Sequence, residues 1–242
     1  MRAVERTGYT IGALLLLSGI VHAGLLVISG GSWEGPLSLR KPATFGLSFG
    51  LTLMNVTWIA SLVQLSDRTR NALLGAFTAA CVLETFLVSL QAWRGVPSHF
   101  NVETPFDAAV AQTLAVGGFT LIVVIIALTV AAMRDRTRLP PAVGLAIRAG
   151  LVALVGAQIA GGLMIATGMR VIVGGDPQRA YATAGWLKPV HAVLMHGILV
   201  LPLLAWFVST RGSTQRTQSR AVWAAVVFYA VVVAGAAVLS AA

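Results

Sequence analysis

The chain is expected to be all-α: a polytopic membrane protein of seven transmembrane helices, with its N-terminus cytoplasmic and its C-terminus extracytoplasmic. Three observations predict this. Apolar residues make up 57 % of the 242 residues and charged residues only 10 %, against about 25 % charged in a soluble domain. Seven continuous apolar runs are long enough to cross a bilayer, which takes about 20 residues of helix. The runs do not alternate in polarity, so a transmembrane β-barrel is excluded. The 17 Lys and Arg fall in short clusters between the runs, where they report orientation and do not form a nucleic-acid face. A nucleic-acid partner is therefore not expected.

The predicted spans are 9–29, 43–65, 71–92, 107–133, 142–169, 188–209 and 220–241, together one membrane domain over 1–242. The first span is followed by no clear small-residue cleavage pattern, so it is expected to be a retained helix and not a leader. In the second, Gly46 and Gly50 form a small-xxx-small face suited to close helix packing. The third carries the single cysteine, Cys81, which supports neither a disulfide framework nor a thiolate metal site and reads as an inert buried thiol. The fourth opens with Thr104, Pro105 and Asp107 as N-cap, N1 and N3. Pro189 opens the sixth in the same way, and Pro202 should kink it. Trp33, Trp93 and Trp186 sit at span ends as an aromatic belt. Gln91, Asn55 and Gln158 are expected to be interhelical hydrogen-bonding groups.

Orientation follows from the cations. Arg2, Arg6, Arg68, Arg70, Arg134, Arg136, Arg138, Arg148, Arg211, Arg216 and Arg220 lie on one side. Arg40, Lys41, Arg94, Arg170, Arg179 and Lys188 lie on the other. The richer side is cytoplasmic by the positive-inside rule. The longer loops, with their Trp, His, Asp and Glu, then face outward.

Ionisable groups inside spans are costly and point to function. His22, Glu84, His191 and His196 all fall in the outer halves of their spans, and His99 lies in the outer loop above them. His22, Glu84 and His196 are each about 10–12 Å deep at 1.5 Å per residue. His191 and His196 stand about 140° apart around one helix, so they do not share a face. Two histidines on different helices at one depth are what axial ligation of a b-type haem requires. The expectation is haem b held by His22 and His196, with Arg40, Lys41, Arg94 or Lys188 pairing its propionates. Such a protein would be a membrane redox protein, with a quinone or another apolar molecule as partner.

Two alternatives stay open. In one, His22, Glu84 and either His191 or His196 hold zinc, or copper with Met164, Met169 or Met195, in an enzyme acting on a lipid-like substrate. There Glu84 would be ligand or general base, Arg94 would hold an anionic headgroup, and His99 would complete the catalytic set. In the other, the outward polar pocket belongs to a transporter or receptor. Any of these can assemble as a homo-oligomer in the lipid bilayer. Beneath all of them lies the plain reading that each polar group makes one interhelical hydrogen bond.

The segments WEGPLSLRKPATFGLSFGLTL, AWRGVPSHFNVETPFDAAV and KPVHAVLMHGILVLPLLAWF resemble those of a family of polytopic bacterial membrane proteins of actinobacterial type, for which no activity is established. The resemblance covers nearly the whole chain, implies a multi-pass protein of the bacterial cell (inner) membrane, and assigns no role to a residue. Seven helices also invite comparison with microbial rhodopsins, but positions 189 to 242 contain no lysine for a Schiff base. The histidine pattern of seven-helix zinc hydrolases of the ceramidase and adiponectin-receptor type cannot be laid onto this chain, so fold analogy assigns no activity.

Overall fold

The computed structural model describes residues 1–35, 37–135, 139–176, 179–181 and 185–241. Arg136 and Arg138, counted above for orientation, lie outside the described residues. Seven long helices are present: α1 Ala3–Ile28, α2 Arg40–Leu62, α3 Asp67–Trp93, α4 Pro105–Arg134, α5 Pro141–Val173, α6 Lys188–Ser209 and α7 Gln215–Ala241. All seven are long and apolar enough to cross a membrane. Large apolar side chains such as Leu17, Phe119, Leu163, Phe228 and Leu239 stand exposed on them, a surface suited to lipid and not to water. The described chain is thus all-helical, with seven helices of the length and apolar character that a multi-pass membrane protein has.

Most helices begin before the predicted span. Helix hydrogen bonding continues through the polar first turn, whereas hydropathy marks only the apolar part. At α1 the Arg2 N–H donates to Glu5 Oε2 at 2.7 Å, closing a capping box. Arg2 Nε also donates to Asp67 Oδ1 at 2.9 Å, which ties α1 to the start of α3. Ser66 caps α3 by accepting the Thr69 N–H at 3.1 Å. At α4 the Thr104 hydroxyl accepts the Asp107 N–H at 3.1 Å and donates to Asp107 Oδ2 at 2.6 Å, as the Thr-Pro-x-Asp spacing predicts.

The chain forms two compact units. The first comprises Met1–Trp58, Ser66–Val124 and Gly168–Ala182. Its main seam joins α1 to α2 through small residues. A Cβ on Gly46 would lie 2.5 Å from the Gly19 nitrogen, and a Cβ on Gly50 would lie 2.7 Å from the Gly12 carbonyl oxygen. The two backbones therefore touch, as the Gly46/Gly50 spacing predicts. Helix α1 also packs on α3. Val88, Val110 and Leu114 form a buried cluster between α3 and α4, with Phe45 of α2 laid against it.

The second unit comprises Ile59–Leu65, Ile125–Thr167 and Thr183–Ala242. Ala142, Ala146, Leu201, Ala205 and Val222 make its tightest cluster, and α6 packs along α7. The Arg148 guanidinium donates to the carbonyls of Ala132, at 3.0 Å, and Asp135. It satisfies acceptors that the end of α4 leaves open. Arg148 is thus tied to structure as well as to the orientation signal. The Tyr229 hydroxyl donates to the Val193 carbonyl, and Pro202 lies buried within α6.

Candidate functional site: a buried carboxyl in the first unit

Glu84 lies midway along the buried face of α3 and is 4 % exposed. The α3 face that buries it also carries Thr78, Cys81, Thr85, Val88 and Gln91. The opposing residue on α4 is Gly117. A Cβ there would come within 2.5 Å of Glu84 Oε1, so the carboxyl rests on bare backbone. Oε1 has no hydrogen-bond partner among protein atoms. A buried carboxyl oxygen in that state calls for a proton, a cation or a donor from a ligand. Lys41, in the first turn of α2, is close enough to act electrostatically on both Glu84 and His99.

One turn beyond Glu84 lies the Val88, Val110, Leu114 and Phe45 layer. Phe45 meets the edge of His99 at 6.0 Å between ring centroids, and His99 meets Phe100 at 6.3 Å. The loop that delivers these rings is fixed by two uncommon features. Phe100 has φ +65°, a left-handed conformation that costs a non-glycine residue about 1 kcal/mol or more. Its ring lies where a Cβ on Gly168 would otherwise be, 2.5 Å from Phe100 Cζ. Ser98 and Asn101 are buried in the same loop. The Ser98 hydroxyl pairs with His99 Nδ1 at 3.1 Å, and Asn101 Nδ2 has no partner. Enclosure of the His99 imidazole, helped by the Lys41 charge, pushes its pKa well below the ordinary value. His99 is therefore neutral near pH 7.

At the same end, Arg94 joins a network with Gln91 and Asp107. Arg94 Nη1 bonds Asp107 Oδ1 at 2.5 Å and also Gln91 Oε1. Gln91 Nε2 donates to the same Asp107 oxygen at 2.8 Å. The guanidinium lies 4.7 Å over the Phe106 ring. The pair is set for fastening α3 to α4. Gln91 is thus an interhelical hydrogen-bonding group, as expected.

His22 uses both ring nitrogens. Nδ1–H donates to the Ser18 carbonyl at 2.8 Å, and Nε2 accepts the Trp93 indole N–H at 3.0 Å. A carbonyl only accepts and an indole N–H only donates, so the tautomer is fixed. Comparison with known protein families, with characterised proteins and with solved structures finds no match. Residue roles here therefore rest on geometry alone.

The other predicted groups are placed as follows. Arg40 stacks its guanidinium 5.8 Å from the Trp33 ring centroid, and its Nε is buried without a partner. In the second unit, His191 donates from Nδ1 to the Ala157 carbonyl of α5 at 2.7 Å. His196 donates from Nδ1 to the Ala192 carbonyl on its own helix at 2.6 Å, and the residue is exposed. The two histidines of α6 diverge, as their 140° separation requires. Lys188 is exposed at the start of α6. Among the described residues no three His, Cys, Asp or Glu side chains gather as metal ligands. Cys81 is buried and free.

The structure thus brings Lys41, Glu84 and His99 into one neighbourhood, and Arg94 into a fastening pair. Sequence reasoning missed Gly117 as the bed of the carboxyl and Asp107 as the partner of Arg94. It also missed Trp93 as the partner of His22. The Gly117-Gly118 pair in mid-span was the available signal, since paired glycines inside a helix need a packing reason.

Proposed function

We propose that the first unit carries a proton-exchanging binding site centred on Glu84, and that the protein is a membrane receptor or carrier whose ligand binding is linked to a proton. The observation that carries this is the buried Glu84 Oε1, which rests on Gly117 without a hydrogen bond, the Gly118 backbone N–H being the protein donor beside the carboxyl. Lys41 supplies a compensating positive charge, and neutral His99 with Phe45 and Phe100 roofs the site. By the arginine bias, the Arg94 end faces outward. Intramembrane carboxyls in such settings serve proton relays and coupled binding. A hydrophobic carbodiimide tests the reading, because it adds to protonated carboxyls in apolar surroundings. Peptide mapping of labelled protein in lipid nanodiscs should find the adduct on Glu84, with labelling that declines as pH rises. An unlabelled Glu84 peptide across the whole pH range would overturn the reading.

A further inference from the structure

Two groups of threonines contrast among the described residues. Thr7, Thr113, Thr120, Thr129 and Thr167 lie on exposed or half-exposed helix faces, and each donates its hydroxyl to the carbonyl four residues back. That is the ordinary arrangement for threonine in a helix. Thr57, Thr78 and Thr85 are buried in the first unit, and their hydroxyl oxygens have no partner among protein atoms. Burial without a partner is the costlier state for a hydroxyl, and native structures relieve it with bound water.

The positions of these groups form a series. Arg2, just before α1, bonds Asp67 at the start of α3, so the starts of these two helices lie at one end of the first unit. From that end, at 1.5 Å per residue, Gly8, which the Thr57 hydroxyl faces, is about 7 Å in, Thr78 about 16 Å and Glu84 about 25 Å. Thr85 stands beside Glu84 on α3. Each of the two extremes points at a glycine. The Thr57 hydroxyl faces Gly8 of α1 and the Glu84 carboxyl faces Gly117 of α4. A side chain at either glycine would fill the space in front of the polar atom. The titratable groups near Glu84 among the described residues are Lys41 of α2, Cys81 of its own helix and His99 of the loop after α3.

We infer that these hydroxyls hold a file of bound water leading from Glu84 toward the Asp67 end of the first unit, along which protons move between the site and the opposite side of the membrane. This deepens the proton-linked reading above and rests on it. With hydrogen-bonded oxygens about 2.8 Å apart, the step from Thr78 to Glu84 takes two or three waters. A proton passes by hopping: each oxygen accepts one proton and releases another, so no group is oxidised or consumed. Glu84 is the terminal acceptor and donor.

The test uses the full chain in proteoliposomes containing a trapped pH dye, with a potassium diffusion potential set by valinomycin. The wild-type protein is expected to conduct protons. Thr78→Val keeps the side chain's shape and removes the hydroxyl, and should reduce the flux by about 5-fold or more, as loss of one link in a hydrogen-bonded file requires. Thr78→Ser should restore it, and Thr113→Val, on the exposed face, should leave it unchanged. Folding of each variant is checked by elution profile and circular dichroism, and Thr85→Val replaces Thr78→Val if the latter misfolds. Wild-type flux of zero, or equal flux in Thr78→Val and wild type, overturns the water file. Either result leaves the carbodiimide result at Glu84 standing. Absence of labelling at Glu84 removes the binding-site reading itself, so the two failures are distinguishable.

Discussion

Gly117→Ala separates the position of the carboxyl from the stability of the fold. The added Cβ would lie 2.5 Å from Glu84 Oε1, 3.3 Å from Cδ and 3.4 Å from Cγ. Ordinary contact begins near 3.4 Å, so Oε1 must retreat by about 0.9 Å, the difference of the two distances. The atom that must yield is the end of a flexible side chain, and α3 and α4 need not part. Moving the carboxyl off its preferred rotamer costs about 0.5–1.5 kcal/mol. Replacing glycine by alanine inside a helix returns about 1 kcal/mol. The two nearly cancel, and unfolding in denaturant should report a stability within about 1 kcal/mol of wild type. The surroundings of Glu84 nevertheless change. The rate of carbodiimide labelling at Glu84 should shift by about 3-fold or more, since a 0.7 kcal/mol change in the environment of a charge is enough for that. The carboxyl band in the infrared spectrum should move with it. Unchanged labelling and an unchanged band would show that the carboxyl does not rest on Gly117. A stability loss above about 3 kcal/mol would show that the contact lies between backbones.

Three further outcomes are expected. Gly46→Ala forces apart two touching backbones and should destabilise the protein by about 1–3 kcal/mol, whereas Gly24→Ala, where no atom lies within 4 Å of the new Cβ, should stabilise it by up to about 1 kcal/mol; steric trapping or denaturant titration in bicelles reads both. Arg94→Ala leaves the buried Asp107 with Gln91 and Thr104 only, and should cost about 1–3 kcal/mol by the same measurement, less than a wholly buried pair because Arg94 is partly exposed. The depressed pKa of His99 makes stability fall on acidification: below about pH 6.5 the unfolded chain takes up a proton that the native imidazole does not, so thermal stability should drop from pH 7 to pH 5, and His99→Asn should flatten that part of the profile.

Much of the fold was legible because the bilayer imposes it. Seven apolar runs become seven helices, since a continuous apolar run satisfies its own backbone in lipid only as a helix. The α1–α2 seam was half legible. Gly46 and Gly50 announced one side, but nothing in the spacing of Gly12 and Gly19 said which partner they would meet. The site was legible only as a set of costly residues. Glu84 stood out because a carboxyl in an apolar run needs a reason. Its surroundings did not, because hydropathy records which groups are apolar and not which helix faces which. Trp93 shows the difference. Read singly it is a belt residue, yet its indole N–H is the partner of His22, 71 positions away. Thr57, Thr78 and Thr85 look like Thr113 and Thr120 in sequence, and only burial distinguishes them.

The α1–α2 seam bears on how the protein is made. Its contacts involve residues from Gly8 to Thr57 alone, so this helical hairpin can close once α2 has entered the bilayer, before Glu84 has been synthesised. Helix α3 then arrives at a completed surface of α1, on which it packs. The early pair acts as a template for the helix that carries the acid. Cotranslational crosslinking between α1 and α2 should appear at chain lengths too short to contain the carboxyl.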